Sequence, residues 1–399
     1  MKRARLSGWP AGLIGMLALT YAIERQVVRH DYKFLTQHAA QWQNTGRSVA
    51  KAAGCEVVAV GDSLLKHGLI PSQVEASLGK NRRVYNLAVP GGSSPAFYFL
   101  FRRMIDSGIK PKVVLTDGEM LGDDPLALAR VWSEMITFRE LADISWSARD
   151  ARYFGMTALE ILLPTIRARS AVRQSILAAL DGKIFEEPQS LALIWRNLKK
   201  NAGAFVLRQR IDLSGPDPRP GELAQSKYLP GPFHCNPLNL SYTLRFLELA
   251  RQNGIEVVWC LPPYHPDALS RRINGGWTSG YASLLKHLQE RFPNLTIHSG
   301  WDAKYPPETV ADITHMSRTG AIAFSDAVGH YLREKLDGED TRRWVDLPLY
   351  DRSKAEALAS SSDVEDVYES GRRLNKIMDE VRERRELAAR QGSRKVRSR

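Results

Sequence analysis

The chain has 399 residues, 43% of them hydrophobic, enough for one sizeable core with accessory segments. Its formal net charge of +12 is concentrated in basic runs at the two ends, MKRAR and RERRELAARQGSRKVRSR, yet no zinc-finger spacing, RNP-like aromatic motif or basic zipper accompanies it, so nucleic acid is not an expected partner. Three scattered cysteines, Cys55, Cys235 and Cys260, exclude a disulfide framework or a cysteine metal cluster and leave one bridge through Cys235 open.

Behind Lys2, Arg3 and Arg5 the stretch GWPAGLIGMLALTYAI carries no charge until Glu24. A basic flank before an apolar run predicts a signal anchor, a transmembrane helix over residues 1–23. Its basic end would stay in the cytoplasm and the rest of the chain would lie on the extracytoplasmic, periplasmic side. Residues 24–53 read as a helical stalk. The pattern then changes to short apolar runs, EVVAV (56–60), RVYNLAV (83–89) and KVVLT (112–116), separated by helical stretches. That alternation predicts a parallel sheet with right-handed crossovers.

It stops over residues 123–235, which read as a mainly helical insertion closed by the loop SGPDPRPGELAQSKYLPGPF, a candidate lid beside a site. It resumes with IEVVWCLPP (255–263), a helix, NLTIHSG (294–300) and a last helix near 318–335. The expected architecture is α/β: a three-layer, doubly wound, five-stranded parallel sheet over residues 54–122 and 236–338. Residues 339–399 are polar and charged and predict a disordered or loosely helical tail.

Gly61-Asp62-Ser63 stands directly after a strand and before a helix. A serine on such a turn exposes its hydroxyl at the carboxyl edge of the sheet, beside helix N–H groups suited to an oxyanion. Alone, the tripeptide fits a helix N-cap equally well. Asp312-Ile-Thr-His315 lies in a loop after the fifth expected strand. A serine hydroxyl needs an imidazole to take its proton and a carboxylate to hold that imidazole in the right tautomer.

In this order the two motifs resemble the SGNH, or GDSL-like, hydrolase superfamily, over roughly residues 54–121 and 236–336. The resemblance implies Ser63 as nucleophile, His315 as general base and acid, and Asp312 as its orienting group. Asn86 and Gly91, in YNLAVPGGSS, match the block whose glycine N–H joins the serine N–H in an oxyanion hole. MSRTGAIAFSDAVGHYL looks like the family's closing helix, with Gly320 at the usual turn. The third block departs from the pattern: where the family carries Gly-x-Asn-Asp, this chain has Thr116-Asp117-Gly118-Glu119, and an ionised Asp accepts hydrogen bonds but cannot donate one. Membrane-attached relatives that modify cell-envelope or exported polysaccharides also lack the standard block.

By this resemblance the expected activity is that of a serine esterase or O-acyltransferase on acylated carbohydrate, with a membrane acyl-donor protein as partner if the reaction is transfer. Asp62, Asn86, Asp117 and His265 are candidates for substrate contact. A triad needs no cofactor, and no metal-ligand spacing is present. The rival expectation is a non-catalytic SGNH-like module that binds polysaccharide or scaffolds an envelope complex.

Overall fold

The computed structural model of the protein describes residues 11–29, 37–79, 81–127, 129–181, 189–208 and 231–397. In chain order the elements are α1 (Ala11–Arg29), α2 (Gln37–Arg47), β1 (Val57–Ala59), α3 (Ser63–Gly68), α4 (Pro71–Leu78), β2 (Val84–Asn86), α5 (Ser94–Asp106) and β3 (Val113–Thr116). There follow α6 (Ala129–Trp132), α7 (Phe138–Ala148), α8 (Ala151–Leu162), α9 (Pro164–Arg167), α10 (Arg169–Leu180) and α11 (Gln189–Lys200). The chain closes with α12 (Pro237–Gln252), β4 (Glu256–Leu261), α13 (Pro266–Asn274), α14 (Trp277–Arg291), β5 (Leu295–Ser299), α15 (Arg318–Leu336), β6 (Trp344–Asp346), α16 (Arg352–Ser361) and α17 (Val367–Arg397).

The six strands form one parallel sheet in the order β2-β1-β3-β4-β5-β6. Runs such as Val57-Val58 and Val113-Val114-Leu115 suit such a sheet because both of its faces are covered, so no residue alternates out to solvent. On one face Val57, Ala59, Val113, Leu115, Val258 and Cys260 share a core with Leu65, Val74, Phe324 and Val328 from α3, α4 and α15. Val58, Val114, Val257 and Trp259 are buried on the other. There α5 and α12 pair through Phe101 and Phe246, whose ring centres lie 4.8 Å apart. From β1 the chain steps outward to β2, then returns past β1 to β3 and continues the opposite way. The topological switch therefore falls between β1 and β3, where ligands bind in doubly wound sheets.

Three expectations about this unit are corrected. The sheet has six strands instead of five, because Trp344–Asp346, assigned to the tail, pairs in parallel with β5. Val345, Leu347 and Val364 join the core, so the chain continues to build the domain beyond residue 339, and the charged α17 follows. The end of the predicted insertion also belongs here. Residues 192–208 fall within the α/β unit, which comprises residues 44–127 and 192–399. Asn86 N–H donates to Ala202 O at 3.1 Å, which covers the free edge of β2.

The second compact unit combines the described part of residues 1–43 with residues 128–191. The described part of the predicted anchor and residues 129–181 of the predicted insertion thus fall in one unit. Trp42 and Trp132 meet edge to face at 5.3 Å, and Arg167 pairs with Glu134 at 2.9 Å. Glu24, buried, accepts from Thr165 N–H at 3.1 Å and from the Thr165 hydroxyl, which fastens α1 to α9. No helix among the described residues is long and apolar enough to cross a membrane. The basic flank at residues 2–5, part of the stalk (30–36) and most of the loop before residue 231 lie outside the described residues. All three cysteines are free thiols.

Candidate active site

The turn after β1 is held from both sides. Val60 N–H donates to Leu115 O at 2.8 Å, while Leu87 and Val89 N–H donate to Ala59 O and Gly61 O at 2.7 and 2.8 Å. Ladder pairing thus continues beyond the strands and sets the Pro90-Gly91 loop beside Gly61-Asp62-Ser63. Asp62 caps α3, its carboxylate accepting from Leu64 N–H at 2.7 Å.

Asp117, at the end of β3 and 1% exposed, accepts from Asp62 N–H at 2.7 Å with Oδ1 and from Leu65 N–H at 3.1 Å with Oδ2. A carboxylate that accepts only is well matched to these two donors at a helix start. The departure at the third block thus becomes intelligible: Asp117 clamps the serine turn. Gly61 is required by the same clamp, since a Cβ there would meet Asp117 Oδ1 at 2.6 Å.

What these bonds leave over is chemically pointed. Leu64, Leu65 and Lys66 N–H are all satisfied, whereas the N–H groups of Ser63 and Gly91 have no partner among the described residues. Gly91 sits at φ 65°, a left-handed conformation that glycine adopts without strain. The serine's own N–H and that of Gly91, on the neighbouring loop, are thus unspent, and a developing oxyanion requires such donors.

Asp312 and His315 form one closed turn. Asp312 Oδ1 accepts from the N–H groups of Thr314 and His315, each at 2.8 Å, and Oδ2 pairs with His315 Nδ1 at 2.7 Å. Burial acts to raise the Asp312 pKa, but the His315 bond and charge and the two N–H bonds outweigh it and hold the carboxyl well below the usual carboxylate range. The carboxylate therefore stays ionised and fixes the proton of His315 on Nδ1, leaving Nε2 to accept one. Gly320 lies inside α15, not at a turn: a Cβ there would meet Thr309 O at 2.0 Å, so it lets the helix dock against this loop.

His67 has no supporting partner spacing in the sequence, and the structure gives it a place beside the pair. It lies four residues after Ser63, on the same face of α3. Its ring meets that of His315 edge to face at 4.8 Å, and its Nδ1 bonds to Phe205 O at 2.8 Å. Burial, followed by the neighbouring His315, pushes its pKa down to about 3, so it remains neutral. The contact sets His315 against the residue one helical turn along α3 from Ser63. The Ser63 hydroxyl makes no hydrogen bond to a described residue; catalytic bonds of this kind often close only with substrate in place.

Of the substrate-contact candidates, Asn86 is spent on scaffold. Its amide donates to Leu65 O and Leu69 O, both at 2.8 Å, and its Oδ1 accepts from Ala88 N–H at 2.9 Å. Asp62 and Asp117 serve backbone as described. His265 is 7% exposed and caps α13 through Asp267 N–H at 3.2 Å, while its Nε2 has no partner among the described residues. It stands between Tyr264 and Pro266, which line a cavity of ≈ 380 Å³ together with Trp301 and Tyr305, at the carboxyl ends of β4 and β5. Comparison with protein-family models and with curated proteins finds no match to this chain.

Proposed function

We propose that the protein is an SGNH-type serine esterase or O-acyltransferase that acts on acylated carbohydrate outside the cytoplasmic membrane. The observation that carries this reading is the closed Asp312–His315 pair packed on His67, one turn of α3 from a serine whose own N–H and that of Gly91 are unspent.

In the reaction, His315 Nε2 takes the proton of Ser63 Oγ as the oxygen attacks the ester carbonyl. The tetrahedral oxyanion is received by the N–H groups of Ser63 and Gly91. Collapse expels the sugar alkoxide, which takes the proton from His315, and leaves an acyl-serine. Water or a second sugar hydroxyl then repeats the sequence in reverse. Transfer would draw its acyl group from a membrane acyl-donor protein.

The test is release of p-nitrophenol from p-nitrophenyl acetate by the full chain. Ser63→Ala is expected to lower kcat/KM on the order of a thousandfold or more. Equal rates in the two proteins would favour the second reading, a non-catalytic SGNH-like polysaccharide-binding or scaffold module. The open Ser63–His315 link is the observation that keeps that reading alive.

A further inference from the structure

Exposed large hydrophobic residues are unevenly shared between the two compact units. Among the described residues there are twenty-three, and sixteen of them belong to the smaller unit: seven on α1 and nine between Phe138 and Leu180. Trp146, at the end of α7, is 87% exposed, and Phe154, Met156, Leu159 and Leu162 leave much of α8 apolar to solvent. Ile176, Leu177 and Leu180 do the same on α10. An exposed apolar face of this extent in a folded unit marks a contact surface.

Charge identifies the partner. From residue 149 to 180 every exposed charge is an arginine: Arg149, Arg152, Arg169 and Arg173. The acids of these helices are turned inward or used locally, since Glu160 is buried and Asp150 caps α8 through Tyr153 N–H at 2.8 Å. Arginines among Trp, Phe and Leu are the composition of a helix that lies in the headgroup layer of an anionic membrane. In the same unit α1, fastened to α9 through Glu24, also exposes large apolar residues from Leu13 to Ile23.

We infer that α8 to α10, with Trp146, form an interfacial membrane-binding surface seated on anionic phospholipid, and that α1 and these helices enter one bilayer together. The insertion is then a seat on the membrane, where its sequence suggested a lid. The inference does not rest on the chemistry of Ser63.

Spin labels at Leu159→Cys and Leu177→Cys, with Ser283→Cys as a control on exposed α14, can be read in the full chain reconstituted into phosphatidylcholine vesicles containing phosphatidylglycerol. The native cysteines are replaced by alanine, and retained thermal unfolding shows that each variant folds. The ratio of collisions with oxygen to those with a water-soluble nickel chelate is expected to be several-fold higher at 159 and 177 than at 283, and to drop when Arg149, Arg152, Arg169 and Arg173 are all changed to Gln. Equal ratios at the three sites would overturn the inference. So would label–label broadening at 159 and 177 without lipid contact, which would assign the face to a second copy of the chain.

Discussion

Asp117 has the side chain on which most turns. Its two oxygens take the Asp62 and Leu65 N–H groups, and the Ser63 N–H between them makes no hydrogen bond to a described residue. Asp117→Asn keeps the volume but gives up one acceptor and sets an N–H₂ against a backbone N–H. The expected cost is about 1–3 kcal/mol of stability, read by urea unfolding, together with a lower kcat. His67 acts at one remove: as a neutral wall against His315 it limits where the imidazole can swing. His67→Ala is expected to lower kcat with little change in KM for p-nitrophenyl acetate, and His67→Phe to restore part of the loss. Equal kcat in all three proteins would show that the ring contact is idle. The Gly61-Asp62-Ser63 and Asp312-His315 motifs could be read from sequence because each is local and complete within four residues. The role of Asp117 could not, since a hydrogen bond across 55 residues leaves no trace in spacing. The i, i+4 relation between Ser63 and His67 was visible but had no meaning until His315 was found on the same face.

Among the elements, the strand-and-helix alternation was legible because fully buried strands are continuous apolar runs, and α3 and α5 follow β1 and β2, and α12 leads into β4, across short connections. β6 was not. Three residues set among charges carry no periodicity, and only the exposed edge of β5 makes them a strand. Val345 and Leu347 nonetheless close one end of the core, and Ala355 and Val364 follow them in. Removing residues 339–399 therefore strips apolar cover from β5 and α15. At about 25 cal/mol per Å² of apolar surface this is expected to cost several kcal/mol, enough to unfold a marginal domain. Truncation after Val381, within the exposed part of α17, is expected to leave the melting temperature nearly unchanged. Circular dichroism melts of the two truncations against the full chain check both expectations.

At the scale of the whole molecule, three buried cations-in-waiting set the response to pH. Burial pushes both His67 and His298 down to about 3, and Lys66, whose ammonium reaches Thr45 Oγ1 at 3.2 Å, down to about 7. Unfolded histidines protonate near 6.5, so between 6.5 and 3 the unfolded chain holds the extra protons and stability falls as the pH falls. Each histidine contributes a slope of about 1.4 kcal/mol per pH unit in that window. Lys66 acts with the same sign from 10.5 down to 7. Urea titrations at pH 6 and pH 4 are expected to show a steep loss that His67→Phe reduces by about one proton's worth. A slope unchanged in His67→Phe would mean that the ring is charged in the folded state.

All of these effects bear on Ser63, whose proposed reactivity has a direct readout. The full chain is treated with a fluorophosphonate at neutral pH, digested, and the adduct located by mass spectrometry. The account predicts one stoichiometric adduct on Ser63 that fades in His315→Ala and slows on the order of a thousandfold or more in Asp312→Asn. An unlabelled Ser63 in protein that retains its native melting temperature, or labelling indifferent to His315, would contradict it.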